Sequence, residues 1–222
     1  MRITTLDPAQ PPNVELTHGG AGEPAGGTVA AVQPLALSCS GTFTRTWKYV
    51  VFRPPSLDYL EWAREQLGDD EMLVEFRHRS WLDDENRDES FSFLERIGAT
   101  YVVVDAPRSK DAKNLVPTVP ALTSPTAYVR FHGRNLATWN KRGGSAAERF
   151  DYLYSDEELQ EWAPVLGELA SEAQQAYAFF NNNSSSPDPR GELGRVAQAA
   201  TNAVQLRRLL DAAGVPASGA AA

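Results

Sequence analysis

Tyr128-Val129-Arg130-Phe131-His132-Gly133-Arg134-Asn135 reads as an extended segment that runs into a turn. Side chains of an extended chain alternate between two faces, so Val129 and Phe131 point one way and Tyr128, Arg130 and His132 the other. A half-buried surface strand would turn that polar side to water. Three more segments argue against so simple a placement. Residues 73–78 (LVEFRH) set Val74 and Phe76 against Glu75 and Arg77. Residues 100–105 (TYVVVD) are nearly all apolar and end in an acid, and residues 177–183 (YAFFNNN) are aromatic and stop in asparagines. Four short strands that carry polar groups at or near their C-terminal ends predict one shared polar site.

Helical patterns fill the gaps between them. A strand over residues 49–52 is expected to stop at Pro54-Pro55, and Ser56 to cap a helix bearing Leu57, Leu60 and Leu67 that ends at Gly68. Residues 88–97 form a second helix, with Phe91, Leu94 and Ile97 on one face and Gly98 as its stop. Three prolines make residues 110–126 a loop. Residues 135–151 read as a long polar loop holding Trp139, Lys141 and Arg142. Ser155 with Glu158 three residues on is a capping box, opening a helix to about Ala173 that buries Leu159, Trp162, Leu166 and Leu169. A strand over 176–180, a loop over 181–194 and a helix over 196–213 complete the pattern.

Strand and helix therefore alternate, and the strands are apolar enough to lie parallel under a helical cover. The charged alternates decide between architectures. A doubly wound sheet buries both faces in helices and tolerates Glu75, Arg77, Arg130 and His132 poorly. The interior of a (β/α)8 barrel accepts them near the strand C-termini. The expected fold class is α/β, a partial TIM-like (β/α) barrel.

Residues 74–81 (VEFRHRSW), 128–135 (YVRFHGRN), 152–162 (YLYSDEELQEW), 178–183 (AFFNNN) and 201–210 (TNAVQLRRLL) closely resemble the domain of unknown function 72 family, also called YecE-like. The likeness covers about residues 54–213, with five motifs in order. It implies a TIM-like barrel in which these are the last four β/α units, and it implies a fold rather than an activity. Family members also carry an N-terminal half that starts with a glycine- and tryptophan-containing strand, which residues 1–46 do not resemble.

Those first 46 residues are rich in Pro, Gly, Ala and Thr, and breakers such as Gly19-Gly20 and Gly26-Gly27 interrupt any periodicity. They are expected to be disordered or non-native, although residues 29–37 could form one short strand. The expected division is residues 1–46 as low-complexity segment, 47–214 as half barrel and 215–222 as disordered tail. A whole barrel takes ~250 residues. The chain is thus expected to be truncated, with open barrel edges through which self-association is possible.

Net charge −8 argues against broad phosphate-backbone binding, though a local basic cleft can exist. Cys39 is the single cysteine, so neither an intramolecular disulfide nor a cysteine-based zinc site can form, which fits a cytoplasmic location. No apolar run approaches a membrane span, so no membrane partner is expected.

Glu75 and Arg77 share one strand face, as do Arg130 and His132. Either pair can be a structural charge network. As a site, Glu75 and His132 are the candidate catalytic acid–base groups, with Arg77 and Arg130 clamping an anion. Arg134, Asp105, Asn181 and Asn182 are further candidate ligand-binding residues. Trp81 can stack on a sugar or base, or simply pack a loop. Glu75, Asp105 and His132 are suitable metal ligands from three strands, but no HExxH or histidine pair supports them, so no metal is expected. No phosphate loop, GxGxxG or serine-hydrolase elbow appears, and no cofactor can be named. The first functional reading is an enzyme-like site for a small polar or anionic ligand, phosphorylated or sugar-like. The alternatives are nucleic-acid binding at the barrel mouth through the arginines, Lys141-Arg142 and the tryptophans, and a non-catalytic remnant.

Overall fold

The computed structural model describes residues 29–33, 41–45, 50–109, 115–139, 141, 146–182, 184–192 and 194–218. Four strands form its centre in sequential, parallel order: β3 (Glu71–Glu75), β4 (Thr100–Asp105), β5 (Thr126–Phe131) and β6 (Gln175–Phe180). The alternating pattern and the apolar strands require this arrangement, and the chain is an α/β protein. β1 (Val29–Gln33) adds in parallel to β6, and β2 (Gly41–Arg45) in parallel to β3. Both fall in the segment whose breakers gave no lasting periodicity. β1 lies in the stretch where one short strand was possible, whereas β2 was not foreseen. The other residues of 1–46 lie outside the described ones. At the opposite terminus β9 (Ala217–Ser218) pairs with β1, so these two residues belong to the sheet rather than to a disordered tail. The sheet order is β2-β3-β4-β5-β6-β1-β9.

Several local expectations are corrected. Residues 50–52 are not a strand. Helix α1 (Pro54–Gln66) starts at the two prolines themselves, with Arg53 as N-cap and Ser56 inside and buried. Proline suits a helix's first turn because its missing N–H would have no intrahelical partner there. Helix α2 (Arg87–Arg96) follows a 3-10 turn at Arg79–Trp81. The loop of residues 135–151 contains two single-turn helices, α3 (Leu136–Trp139) and α4 (Ala146–Arg149). The capping box of Ser155 and Glu158 is formed. The helix it opens breaks at Glu161 into α5 (Asp156–Gln160) and α6 (Trp162–Glu172), because Pro164 has no N–H for the carbonyl of Gln160. After β6, strands β7 (Ser185–Pro187) and β8 (Arg195–Ala197) pair as a small antiparallel sheet, then α7 (Gln198–Ala212) packs back.

The two faces of the sheet are buried differently. Val74 and Phe76 on the β3 side, Tyr101 and Val103 of β4, Val129 and Phe131 of β5, and Ala178 and Phe180 of β6 meet apolar residues of α1, α2, α5, α6 and α7. Leu73, Val102, Val104, Tyr128, Tyr177 and Phe179 point the other way. There they meet Leu115, Trp139 and Phe150, supplied by loops and a single helical turn. Among the described residues, all the longer helices thus cover one face. Phe131 anchors that face, stacked on Phe180 at 4.5 Å with Trp162 edge-on at 5.0 Å. Phe131→Ala should lower the free energy of unfolding by roughly 3–5 kcal/mol, checked by urea denaturation.

Candidate functional site

The face without the long helices carries a buried charge cluster. Glu75 ends β3 and Arg130 lies in β5, one residue short of its end, between Val104 and Phe179 in register. The period-two reading placed Glu75, Arg77, Arg130 and His132 together, and they converge. Arg77 Nη1 donates to Glu75 Oε1 at 2.6 Å, and Arg130 Nη1 donates to Oε2 at 2.6 Å. His132 Nε2 is 3.3 Å from Oε1. Arg130 Nε donates to Asn181 Oδ1 at 3.1 Å, so Asn181 joins the group. The Glu75 side chain has no exposure and that of His132 1 %, whereas Arg77 keeps 15 %.

These surroundings set the protonation states. Burial alone would raise the Glu75 carboxyl, but Arg130, His132 and Arg77 outweigh it and hold it well below the usual carboxylate range. Burial lowers the His132 imidazole to about 4; Glu75 opposes the shift, and Arg130 and Arg77 add to it. At neutral pH the cluster holds an ionised Glu75 and an uncharged His132. A neutral imidazole that carries its proton on Nε2 donates to the ionised Glu75 and leaves Nδ1 with its lone pair. Arg77 Nη1 lies 3.4 Å from the same Nε2, and its short bond goes to Glu75 instead. Nδ1 is buried with no hydrogen-bond partner among the described residues. Phe150 lies 5.4 Å from the ring and Trp139 6.4 Å, and Trp139 also faces the Arg77 guanidinium at 5.8 Å. Neither aromatic was singled out against His132 in the sequence. The only signal was their large apolar surface in an otherwise polar loop.

Asp105, Arg134 and Asn182 are not part of this cluster. Alternation along β4 puts Asp105 with Tyr101 and Val103 on the helix side, where it accepts from Trp162 Nε1 at 2.8 Å and from Arg134 Nε and Nη2 at 3.0 and 2.8 Å. Asn182 Nδ2 donates to the Tyr152 carbonyl and to Asn202 Oδ1, tying β6 to α7. A metal set of Glu75, Asp105 and His132 is therefore not assembled, since the sheet lies between its members. Trp81 is fully buried, stacked on Phe76 at 4.4 Å, and donates to the Val50 carbonyl, so it packs the core. His78 is spent on the 3-10 turn, accepting from the Ser80 amide.

Arg134 reaches the helix side because the strand is reversed at Gly133. The φ of Gly133 is 84°, and a Cβ there would lie 2.6 Å from Tyr152 Cβ. Its amide donates to Tyr154 Oη at 2.8 Å, and the amide of His132 donates to the Asp105 carbonyl. Two polar clusters thus lie on opposite faces of the sheet, one built on the ends of β3 and β5 and the other on the ends of β4 and β5.

The family described as "Protein of unknown function DUF72" matches residues 23–220, and the chain belongs to that family. The match begins well before residue 54 and takes in β1 and β2. The chain is 34 % identical over 157 residues to the UPF0759 protein YunF of Bacillus subtilis (strain 168), covering 69 % of this chain and 51 % of that protein. Among solved structures, a DUF72 family protein of Thermotoga maritima MSB8 is 36 % identical with a TM-score of 0.62, covering 76 % of this chain and 56 % of that one. One of Enterococcus faecalis V583 is 26 % identical with a TM-score of 0.66, covering 77 % and 58 %. The chain spans about half the length of the curated relative it matches. Among the described residues no helix is long and apolar enough to cross a membrane.

Because the folded His132 titrates below its ordinary value, the unfolded chain binds a proton between pH 6.5 and about 4 that the folded chain does not. Stability should be full above pH 6.5 and fall as pH drops through that window, by roughly 3 kcal/mol in all. Denaturation at pH 7.5, 5.5 and 4.5 measures the slope, and His132→Gln should flatten it.

Proposed function

For this member of the DUF72 family we propose a (β/α)-barrel type of architecture with a small-ligand site at the C-terminal ends of β3 and β5. The one-sided placement of α1, α2, α5, α6 and α7 supports the barrel reading, since a doubly wound sheet carries helices on both faces. The charge cluster then occupies the interior level where barrels carry their sites. The observation that carries the ligand reading is Arg77. Its side chain is the more exposed of the two guanidiniums that meet Glu75, at 15 % against 6 % for Arg130, which lies between Glu75 and Asn181. Arg130 serves as the fixed counter-charge of Glu75, and Arg77 is the guanidinium that a small anionic or polyhydroxy ligand meets first.

The protonation states favour binding over proton transfer in the unliganded site. Glu75 is held ionised by two guanidiniums and cannot act as an acid near neutral pH. His132 is uncharged and a weak base. Acid–base chemistry by the pair needs a ligand that draws Arg77 away from Glu75, which would raise the carboxyl's basicity.

A thermal-shift panel of small carboxylates, sugar acids, inorganic phosphate and sugar phosphates tests this reading on the full chain and on Arg77→Ala. At least one anion should raise the melting temperature of the unaltered chain, and Arg77→Ala should lose about tenfold or more in affinity for it while unfolding with similar cooperativity. If no anion stabilises the unaltered chain and Arg77→Ala only lowers its stability, the cluster is a structural ion network.

A further inference from the structure

Two residues on the far side of the sheet decide where His132 stands. Resting on the site proposed above, we infer that Tyr154 and Asn202 are its positioning residues: the Tyr154 phenol, held by Asn202 of α7, fixes the Gly133 turn and through it the place of the imidazole beside Glu75.

The backbone hydrogen bonds carry the dependence. The amide of His132 still follows the sheet and donates to the Asp105 carbonyl at 2.8 Å. The next amide, that of Gly133, donates instead to Tyr154 Oη at 2.8 Å. One phenol oxygen thus takes over at a residue whose φ of 84° suits glycine. Tyr152 closes the turn beside it, since a Cβ on Gly133 would lie 2.6 Å from that of Tyr152.

The phenol is itself held by side-chain amides. Residues 151–155 lie in no helix or strand, yet Tyr154 is buried, and buried backbone groups need partners. Asn202 Oδ1 accepts from the Tyr154 amide at 3.1 Å, and Asn202 Nδ2 donates to the Tyr154 carbonyl at 3.0 Å. Gln198 Oε1 accepts from the Tyr152 amide, and Asn182 Nδ2 donates to the Tyr152 carbonyl and to Asn202 Oδ1. Asn202 Nδ2 also donates to Gln205 Oε1 at 2.6 Å, so the hydrogen-bonding capacity of this buried amide is fully used. Packing does not require it: Ala199, Ala203, Leu206 and Leu210 supply the apolar contact of α7 with the core. What its hydrogen bonds secure is the course of the backbone at Tyr154. With the sheet holding the amide before the turn and the phenol the amide after it, His132 is kept with Nε2 3.3 Å from Glu75.

NMR titration of the histidines in the full chain reads the surroundings of the imidazole with no ligand present. Glu75, Arg130 and Arg77 face it, and burial holds its midpoint at about 4. Tyr154→Phe keeps the ring and removes the acceptor of the Gly133 amide, and Asn202→Ala removes the grip on Tyr154. In each, the His132 midpoint should move by about one pH unit or more, upward where water replaces burial and downward where only the Glu75 contact is lost. Leu206→Ala, at a buried position of α7 outside these hydrogen bonds, should weaken the fold and leave the midpoint in place. A midpoint unmoved in Tyr154→Phe and Asn202→Ala, or moved equally by Leu206→Ala, makes their role merely structural and overturns the proposal. Amide hydrogen exchange on the unaltered chain decides the matter even if the variants fail to fold. The Gly133 amide should exchange as slowly as those of Val129 and Phe131, and exchange at the rate of an exposed loop overturns the proposal. Neither measurement uses an anion. A silent thermal-shift panel therefore removes the ligand site and leaves this assignment standing, whereas an unmoved midpoint removes the assignment and leaves the ligand site to the panel.

Discussion

A carboxylate with no contact with water sits at the end of β3, and much of the surrounding sequence is committed to making that tolerable. Glu75 is met by Arg130 and Arg77 at 2.6 Å each and by the imidazole of His132 at 3.3 Å. Burying a charge is expensive unless it is paired and hydrogen-bonded, and even a well-made buried pair often stabilises a fold no more than apolar side chains of the same volume. Stability is therefore a weak reason for this cluster. Leu73, Val104, Tyr128 and Phe179 show that the same face can be filled with apolar side chains, and the fully buried Glu75 with its arginine partners sits toward the C-terminal ends. That placement supports the proposal that the cluster is a site rather than a packing solution.

The sheet makes the cluster possible by leaving one face free of long helices. Amphipathic helices α1, α2 and α5 to α7 satisfy the apolar alternates Val74, Val103, Val129 and Phe180. The opposite alternates then meet one another and the loop-borne Leu115, Trp139 and Phe150. Alternation of period two is enough to sort these sets, which is why the convergence of Glu75, Arg77, Arg130 and His132 is legible in the sequence. The same parity, counted from Val102 and Val104, would have sent Asp105 to the helix side, and counted from Phe179 it would have separated Asn181 from Asn182. Treating every polar group at a strand end as one site ignored that count.

Other features were not legible at all. Strand β2 lies in a stretch without lasting periodicity, and it pairs through backbone hydrogen bonds to β3, to which side-chain patterns are blind. The course of Arg134 departs from simple alternation because Gly133 takes a left-handed conformation. A glycine there signalled only that some turn was allowed. The Asp105–Trp162 bond joins residues far apart in sequence, and nothing local announces it. The capping box at Ser155 and Glu158, by contrast, is a four-residue interaction and was readable in full.

Gly133 also joins the two halves of the argument. One residue before it, the imidazole of His132 faces Glu75; one residue after it, Arg134 is locked to Asp105 by three nitrogen–oxygen contacts of 3.1 Å or less. Its own amide is held by Tyr154, whose backbone is in turn gripped by Asn202 from α7. The turn is thus fixed from the helix side, and the direction in which His132 leaves β5 is fixed with it. A buried imidazole with one nitrogen beside a carboxylate and the other without a partner among the described residues needs such support, because a small rotation would break the Glu75 contact. The helix-side cluster of Asp105, Arg134, Tyr154 and Trp162 is best understood as the scaffold that holds the inner cluster in register. This accounts for two sets of costly buried polar groups at the strand ends, on opposite faces of one sheet.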